Sequence, residues 1–153
     1  SDRGQTGWGD RETSELISCA MAVKIGIVQQ DPYEKGLRAA LNLGHTVGHA
    51  LEVVSAYRLR HGEAVSIGMV VEARLAERLG VAEPGLAQSI AKILTGVDLP
   101  TTIPGDLDPF EIRRAIQVDK KKAQGKVRFT LPARVGQVLV GVEVPDEVLE
   151  VEL

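Results

Sequence analysis

The chain has 153 residues, of which 44% are hydrophobic, 25% charged and only 3% aromatic, and its formal net charge is −3. That length and apolar content exclude general disorder and suffice for a real core. The acidic balance and few aromatics exclude nucleic-acid binding by bulk charge, a single Cys19 excludes a disulfide framework or a cysteine zinc cage, and no apolar run reaches the roughly 20 residues of a membrane helix.

Residues 1–9 are Gly-rich and polar and read as a flexible lead-in. They lack a basic region followed by an apolar stretch, so no signal peptide is expected, and the expected location is the cytoplasm. Residues 10–153 read as one mainly α, multihelical domain with a small β-hairpin near the C-terminus. A helix is predicted from Asp10 to Gln30, with Leu16, Ala20, Val23 and Ile27 on one inward face and Cys19 in the core. Asp31-Pro32 ends it. A second helix is predicted from Gly36 to about Ala56, and a third from His61 to Leu79, closed by Gly80.

Pro84 can start a fourth helix, with Leu86, Ile90, Ile93 and Leu94 inward. Leu99–Gly105 is a loop. Asp108-Pro109-Phe110-Glu111 is a helix start, with an Asp cap, a Pro at the first position and a Glu at the third. That helix runs into Lys120-Lys121-Lys122. Lys126–Leu131 and Gln137–Val144 read as strands, with Pro132 and Gly136 marking the turn between them. Pro145 starts a last short helix. There is no dinucleotide fingerprint and no P-loop in the sequence.

The stretch from Gly36 to Glu52 carries the chemistry. On a continuous helix, Arg38, Asn42, His45 and His49 are spaced 4, 3 and 4 apart and share one face, with Glu52 at its edge. The remaining positions are mostly apolar, so this helix is expected to be buried. Polar groups on it then need partners, in a metal or ligand pocket or in a structural network. Gly44 and Gly48 are expected to admit a neighbouring backbone. All three histidines of the chain, His45, His49 and His61, lie within 17 residues. A catalytic zinc takes three protein ligands and keeps one open position. His45 and His49 have the spacing of a zincin but no Glu follows the first, which removes the general base of a metalloprotease. Lys24, among apolar residues, either snorkels or enters a polar pocket. Lys120-Lys121-Lys122 is either a solvated face or an anion contact. Glu34 precedes Arg38 by four and is placed to pair with it.

Gly-Leu-Arg-x-x-Leu-Asn-Leu-Gly-His-Thr-x-Gly-His-Ala-x-Glu, followed by His-Gly-Glu-Ala-Val-x-x-Gly-Met, resembles 3-dehydroquinate synthase. Lys24, Asp31, Glu34 and the Asp119-Lys120-Lys121 segment fit the same family, and the resemblance covers about residues 15–145. It implies conversion of the sugar acid phosphate DAHP to 3-dehydroquinate and phosphate in the shikimate pathway. The cofactors implied are NAD and a divalent metal, zinc or cobalt. By the same resemblance His45 and His61 are metal ligands. His49 and Asn42, with Lys120 or Lys121, surround the substrate phosphate. Arg38 and Lys24 meet its carboxylate and hydroxyls, oriented by Glu34. The family's third metal ligand is a glutamate in an Ala-Glu-x-Ile-Lys segment that this sequence does not contain. The N-terminal NAD-binding domain is likewise expected outside it, so the chain is expected to be inactive alone, to bind zinc weakly, and to belong to a homodimer when full length. Tight zinc binding would point to Glu52, Glu63 or a neighbouring chain as the missing ligand. A related sugar-phosphate cyclase and a non-catalytic helical module are the alternatives.

Overall fold

A computed structural model describes residues 9–33, 36–122 and 127–153, without the side chains of 119–122. The expected lead-in therefore lies outside the described residues, except for Gly9. The chain divides into two compact units, Ser1–Leu41 and Asn42–Leu153.

In the first unit, α1 spans Asp10–Gln30, the predicted limits. Glu12 accepts the Gly9 backbone N–H at 2.6 Å, and two acidic residues in the first turn suit the positive end of the helix. The expected inward face is not buried. Leu16, Ala20 and Val23 are exposed and Ile27 is only half-buried. Cys19, expected in the core, is exposed as well. The periodicity is present, but among the described residues of this unit nothing else is large enough to cover the stripe. After α1 the buried Asp31 sets the chain direction. Its Oδ2 accepts the N–H groups of Gly36 at 2.8 Å and Arg38 at 3.0 Å. Those bonds start a 3-10 helix, Leu37–Asn42.

The predicted continuous helix over 36–56 is broken at Gly44. Its φ of +81° belongs to the left-handed region that glycine enters without penalty, and the α-helix restarts beyond it. In the second unit α2 spans His45–Val54 and α3 spans His61–Arg78. Arg38 and Asn42 therefore sit on a different element from His45 and His49.

The two helices pack backbone to backbone at three glycines. A Cβ on Gly48 would lie 3.1 Å from Val65 Cα, and one on Gly68 would run into the Gly44 carbonyl oxygen. The connector turns through Ala56 and Tyr57, both left-handed at φ 52° and 58°. The Tyr57 N–H closes the turn on the Glu52 carbonyl at 2.7 Å. Arg58 then bonds Asp106 at 2.6 Å, and the guanidinium holds that carboxyl below the usual range.

α4 spans Leu86–Thr95 and begins after Gly85, whose φ is +84°, rather than at Pro84. Leu86 is buried as expected, but Ile93 points to solvent. α5 spans Pro109–Lys122, capped by Asp108 Oδ1 accepting the Phe110 N–H at 2.9 Å. β1, Arg128–Arg134, pairs antiparallel with β2, Gln137–Glu143. Pro132 lies within β1 opposite Val138, and the turn falls at Val135–Gly136 instead. A proline is tolerated there because a two-stranded sheet has only edge strands. α6, Asp146–Glu152, follows Pro145. The core gathers Val47 and Leu51 of α2, Ile67, Val71 and Leu75 of α3, Ile112 and Ile116 of α5, Phe129 and Leu131 of β1 and Leu149 of α6. This core fixes α2 against α3, and so the ends that carry the histidines.

Candidate metal and substrate site

His45 is the first residue of α2, His49 lies one turn later, and His61 is the first residue of α3. The α2–α3 connector brings the three imidazoles together. Ring centres are 5.3 Å apart for His45 and His61, 5.4 Å for His45 and His49, and 6.0 Å for His49 and His61. With Zn–N bonds of about 2.1 Å and tetrahedral angles, two imidazoles on one ion have centres roughly 5 Å apart. Donor atoms of His49, Glu52 and His61 all lie within 4.8 Å of one another. Imidazole nitrogens are donors that zinc and cobalt accept. The residues present therefore fit such an ion.

The histidines are not buried as the continuous-helix reading required. His49 and His61 are exposed and His45 is half-buried. Because α2 is short and only its Val47–Leu51 side meets the core, the imidazoles stand at the surface of the unit, and water can satisfy them.

Local bonds hold two of the three rings and the start of α3. His45 Nδ1 lies 3.2 Å from the Leu43 carbonyl oxygen, which only accepts, so Nδ1 carries the proton. His61 Nδ1 lies 3.2 Å from Glu52 Oε1. Glu63 accepts the Arg60 backbone N–H at 2.8 Å and fixes the start of α3.

The structure reveals a further residue, Glu72 on α3, which is fully buried. Its Oε2 accepts the Gly44 N–H at 2.5 Å and its Oε1 the Val47 N–H at 3.3 Å, with the Thr46 N–H adding to them. One carboxyl thus collects the open N–H groups at the start of α2, beside His45. Burial pushes its pKa up to about 8, against the lowering effect of those three hydrogen bonds. The sequence held one signal for it, an acid inside the apolar run Met69-Val70-Val71-Glu72-Ala73.

Of the other expected site residues, Asn42 is exposed at the end of the 3-10 helix. Lys24 is exposed in the middle of α1. Arg38 is half-buried in the first unit, its Nη1 3.4 Å from the Pro32 carbonyl oxygen. Glu34 and the side chains of Lys120 and Lys121 lie outside the described residues; the two lysines belong to the last turn of α5. Among the described residues no helix is long and apolar enough to cross a membrane.

Known proteins share this arrangement of elements. 3-Dehydroquinate synthase of Symbiobacterium thermophilum is 44% identical over 135 residues, which cover 87% of this chain and 38% of that protein. The chain thus spans well under half the length of this relative. The fold matches 2-deoxy-scyllo-inosose synthase complexed with carbaglucose-6-phosphate, NAD+ and Co2+, at a TM-score of 0.82 and 23% identity, over 94% of this chain and 42% of that one. It also matches 2-epi-5-epi-valiolone synthase of Streptomyces hygroscopicus with NAD+ and Zn2+ bound, at a TM-score of 0.75 and 22% identity, over 90% and 38%. The family model for the 3-dehydroquinate synthase C-terminal domain matches residues 6–122, and the chain belongs to that family.

Proposed function

We propose that the chain is the metal- and substrate-binding part of a 3-dehydroquinate synthase, the lyase that converts DAHP to 3-dehydroquinate and phosphate in the shikimate pathway. The observation that carries this reading is the convergence of His45, His49 and His61 on the matched domain. His45 and His61 would hold zinc or cobalt, and His49 would face the substrate phosphate. When bound, the ion supplies Lewis-acid polarisation of substrate oxygens. Asn42 and either Lys120 or Lys121 join His49 around the phosphate. Arg38 supplies a planar fork for the substrate carboxylate and Lys24 a point charge beside it, with Glu34 orienting them. Asp31 supports this cluster, because its bonds to the Gly36 and Arg38 N–H groups fix the start of the 3-10 helix that carries Arg38.

NAD and the third metal ligand belong, in this reading, to the portion of the relatives that this chain does not span. The full-length enzyme is cytoplasmic and homodimeric. A related cyclase acting on a substrate without a carboxylate is less favoured, since Arg38 and Lys24 would have no anion to meet. The test is phosphate release from DAHP with NAD and zinc. A full-length enzyme carrying this domain turns over and the chain alone does not. Turnover by the chain alone at a comparable rate, or none by the full-length enzyme, refutes the reading.

A further inference from the structure

Glu52 and Glu63 are the acids nearest the histidines in sequence, and the structure gives them different tasks. Glu63 is committed to the Arg60 N–H. Glu52 Oε1 instead faces His61 Nδ1 at 3.2 Å. A carboxylate oxygen accepts, so the imidazole must donate, which places the proton on Nδ1 and leaves the lone pair on Nε2. His45 shows the same pattern, with the Leu43 carbonyl in place of the carboxylate.

The two members of the Glu52–His61 pair differ in freedom. The Glu52 side chain is 16% exposed and that of His61 59% exposed. The Glu52 backbone is also held, since its carbonyl accepts the Ser55 hydroxyl at 3.1 Å and the Tyr57 N–H at 2.7 Å. The carboxylate is therefore the fixed partner, and the exposed ring at the start of α3 is the one it orients. We propose that Glu52 is a positioning residue: it holds the His61 proton on Nδ1 and so presents Nε2 to a divalent transition metal. This rests on the metal reading given above. A carboxylate behind a metal-bound imidazole fixes the ring and raises its basicity.

The experiment has two readouts on the chain itself. Nitrogen-15 spectra of the metal-free chain, at a pH where the imidazoles are neutral, assign the tautomer of each histidine. His61 is expected as Nδ1–H in the wild type and shifted toward Nε2–H in Glu52→Ala, with His45 unchanged. Calorimetry with cobalt chloride is expected to show affinity about 10- to 100-fold weaker in Glu52→Ala. Glu52→Gln keeps the side-chain volume, and its amide offers both a donor and an acceptor, so His61 becomes a mixture of tautomers without a packing defect. An Nε2–H tautomer in the wild type, or no change in tautomer and affinity on substitution, overturns the proposal. Loss of cobalt binding as complete as in His61→Ala also overturns it, by making Glu52 a ligand. A wild type with His61 as Nδ1–H that takes up no cobalt refutes the metal reading and leaves the Glu52 contact standing.

Discussion

Glu72 makes the stability of the second unit depend on pH, and with an unusual sign. Its carboxyl titrates near 4.5 when unfolded and near 8 when folded. Between those values the folded chain holds a proton that the unfolded chain has released. Stability contributed by this group is complete below the unfolded value and falls as pH rises toward the folded one, by about 1.4 kcal/mol per pH unit. The side chain is fully buried, so solvent does not screen the effect. From about pH 5 to about pH 8 the loss is roughly 4 kcal/mol, a large share of the 5–15 kcal/mol that holds a domain together.

Glu72→Gln isolates this effect, because every other titrating group is shared with the wild type. Glutamine stays neutral, but its NH2 group faces either the Gly44 N–H or the Val47 N–H and cannot accept from it. One buried donor is left unpaired, at a cost of about 1–3 kcal/mol. Urea denaturation at a series of pH values is then expected to show the variant less stable at pH ~5, with the gap closing and reversing toward pH ~8. A difference that stays flat with pH would falsify the raised value. A gap that widens as pH rises through the ordinary carboxylate range below about pH 5, and is flat above it, would show that the three N–H groups and the helix start win over burial and keep the carboxylate charged.

Gly68→Ala is expected to cost about 3 kcal/mol or more, because the new Cβ meets the Gly44 carbonyl oxygen and backbone cannot move aside cheaply; an unchanged urea midpoint would refute the close approach. Gly48→Ala, where the nearest atom is 3.1 Å away, is expected to cost less, about 1–2 kcal/mol by the same measurement. Ala56→Gly is expected to raise stability by up to about 1 kcal/mol, since the alanine occupies a left-handed conformation at φ 52°, and thermal melting checks the direction. Cys19 is exposed, so iodoacetamide is expected to alkylate it in the native chain as fast as in the urea-unfolded one. Strong protection of Cys19 would restore the buried position that its sequence context implied.

The sequence made the cluster of histidines visible but not the way it is built. Polar residues at spacings of 4, 3 and 4 fit a continuous helix, and a 3-10 turn followed by an α-helix gives nearly the same spacing. What separates the two is the φ of Gly44, and a glycine in that position reads equally well as a packing glycine. Here it is both, because Gly68 approaches the same carbonyl that the turn presents. The pair of Lys24 and Glu72 shows a second limit. Each is a charged residue inside an apolar stretch, the same signal in one dimension. Glu72 is buried among backbone donors, whereas Lys24 stands in solvent. Only the partner decides which outcome occurs, and the Glu72 partners are 25 and 28 residues away. The Glu52–His61 contact is hidden for the same reason, since it forms across the α2–α3 connector.

The contacts that hold the histidines come from the chain's own backbone and side chains. Glu72 gathers the first N–H groups of α2, three glycines seat that helix on α3, Glu63 fixes the start of α3, and Glu52 and the Leu43 carbonyl set two of the rings. Each rests on backbone or on the core of the second unit. A site assembled in this way loses little conformational entropy when an ion binds, so its affinity is governed by the number of ligands rather than by the ordering of the chain. With His45 and His61 as the ligand pair, weak zinc binding by this chain reflects a missing ligand and not a disordered site. Supplying a donor in trans then tests the two explanations separately. Added imidazole should tighten cobalt binding and bring its visible spectrum toward the strong bands of a four-coordinate ion, while circular dichroism stays unchanged. A gain in helical signal on metal addition would show instead that the ion organises α2, and the preformed site would have to be abandoned.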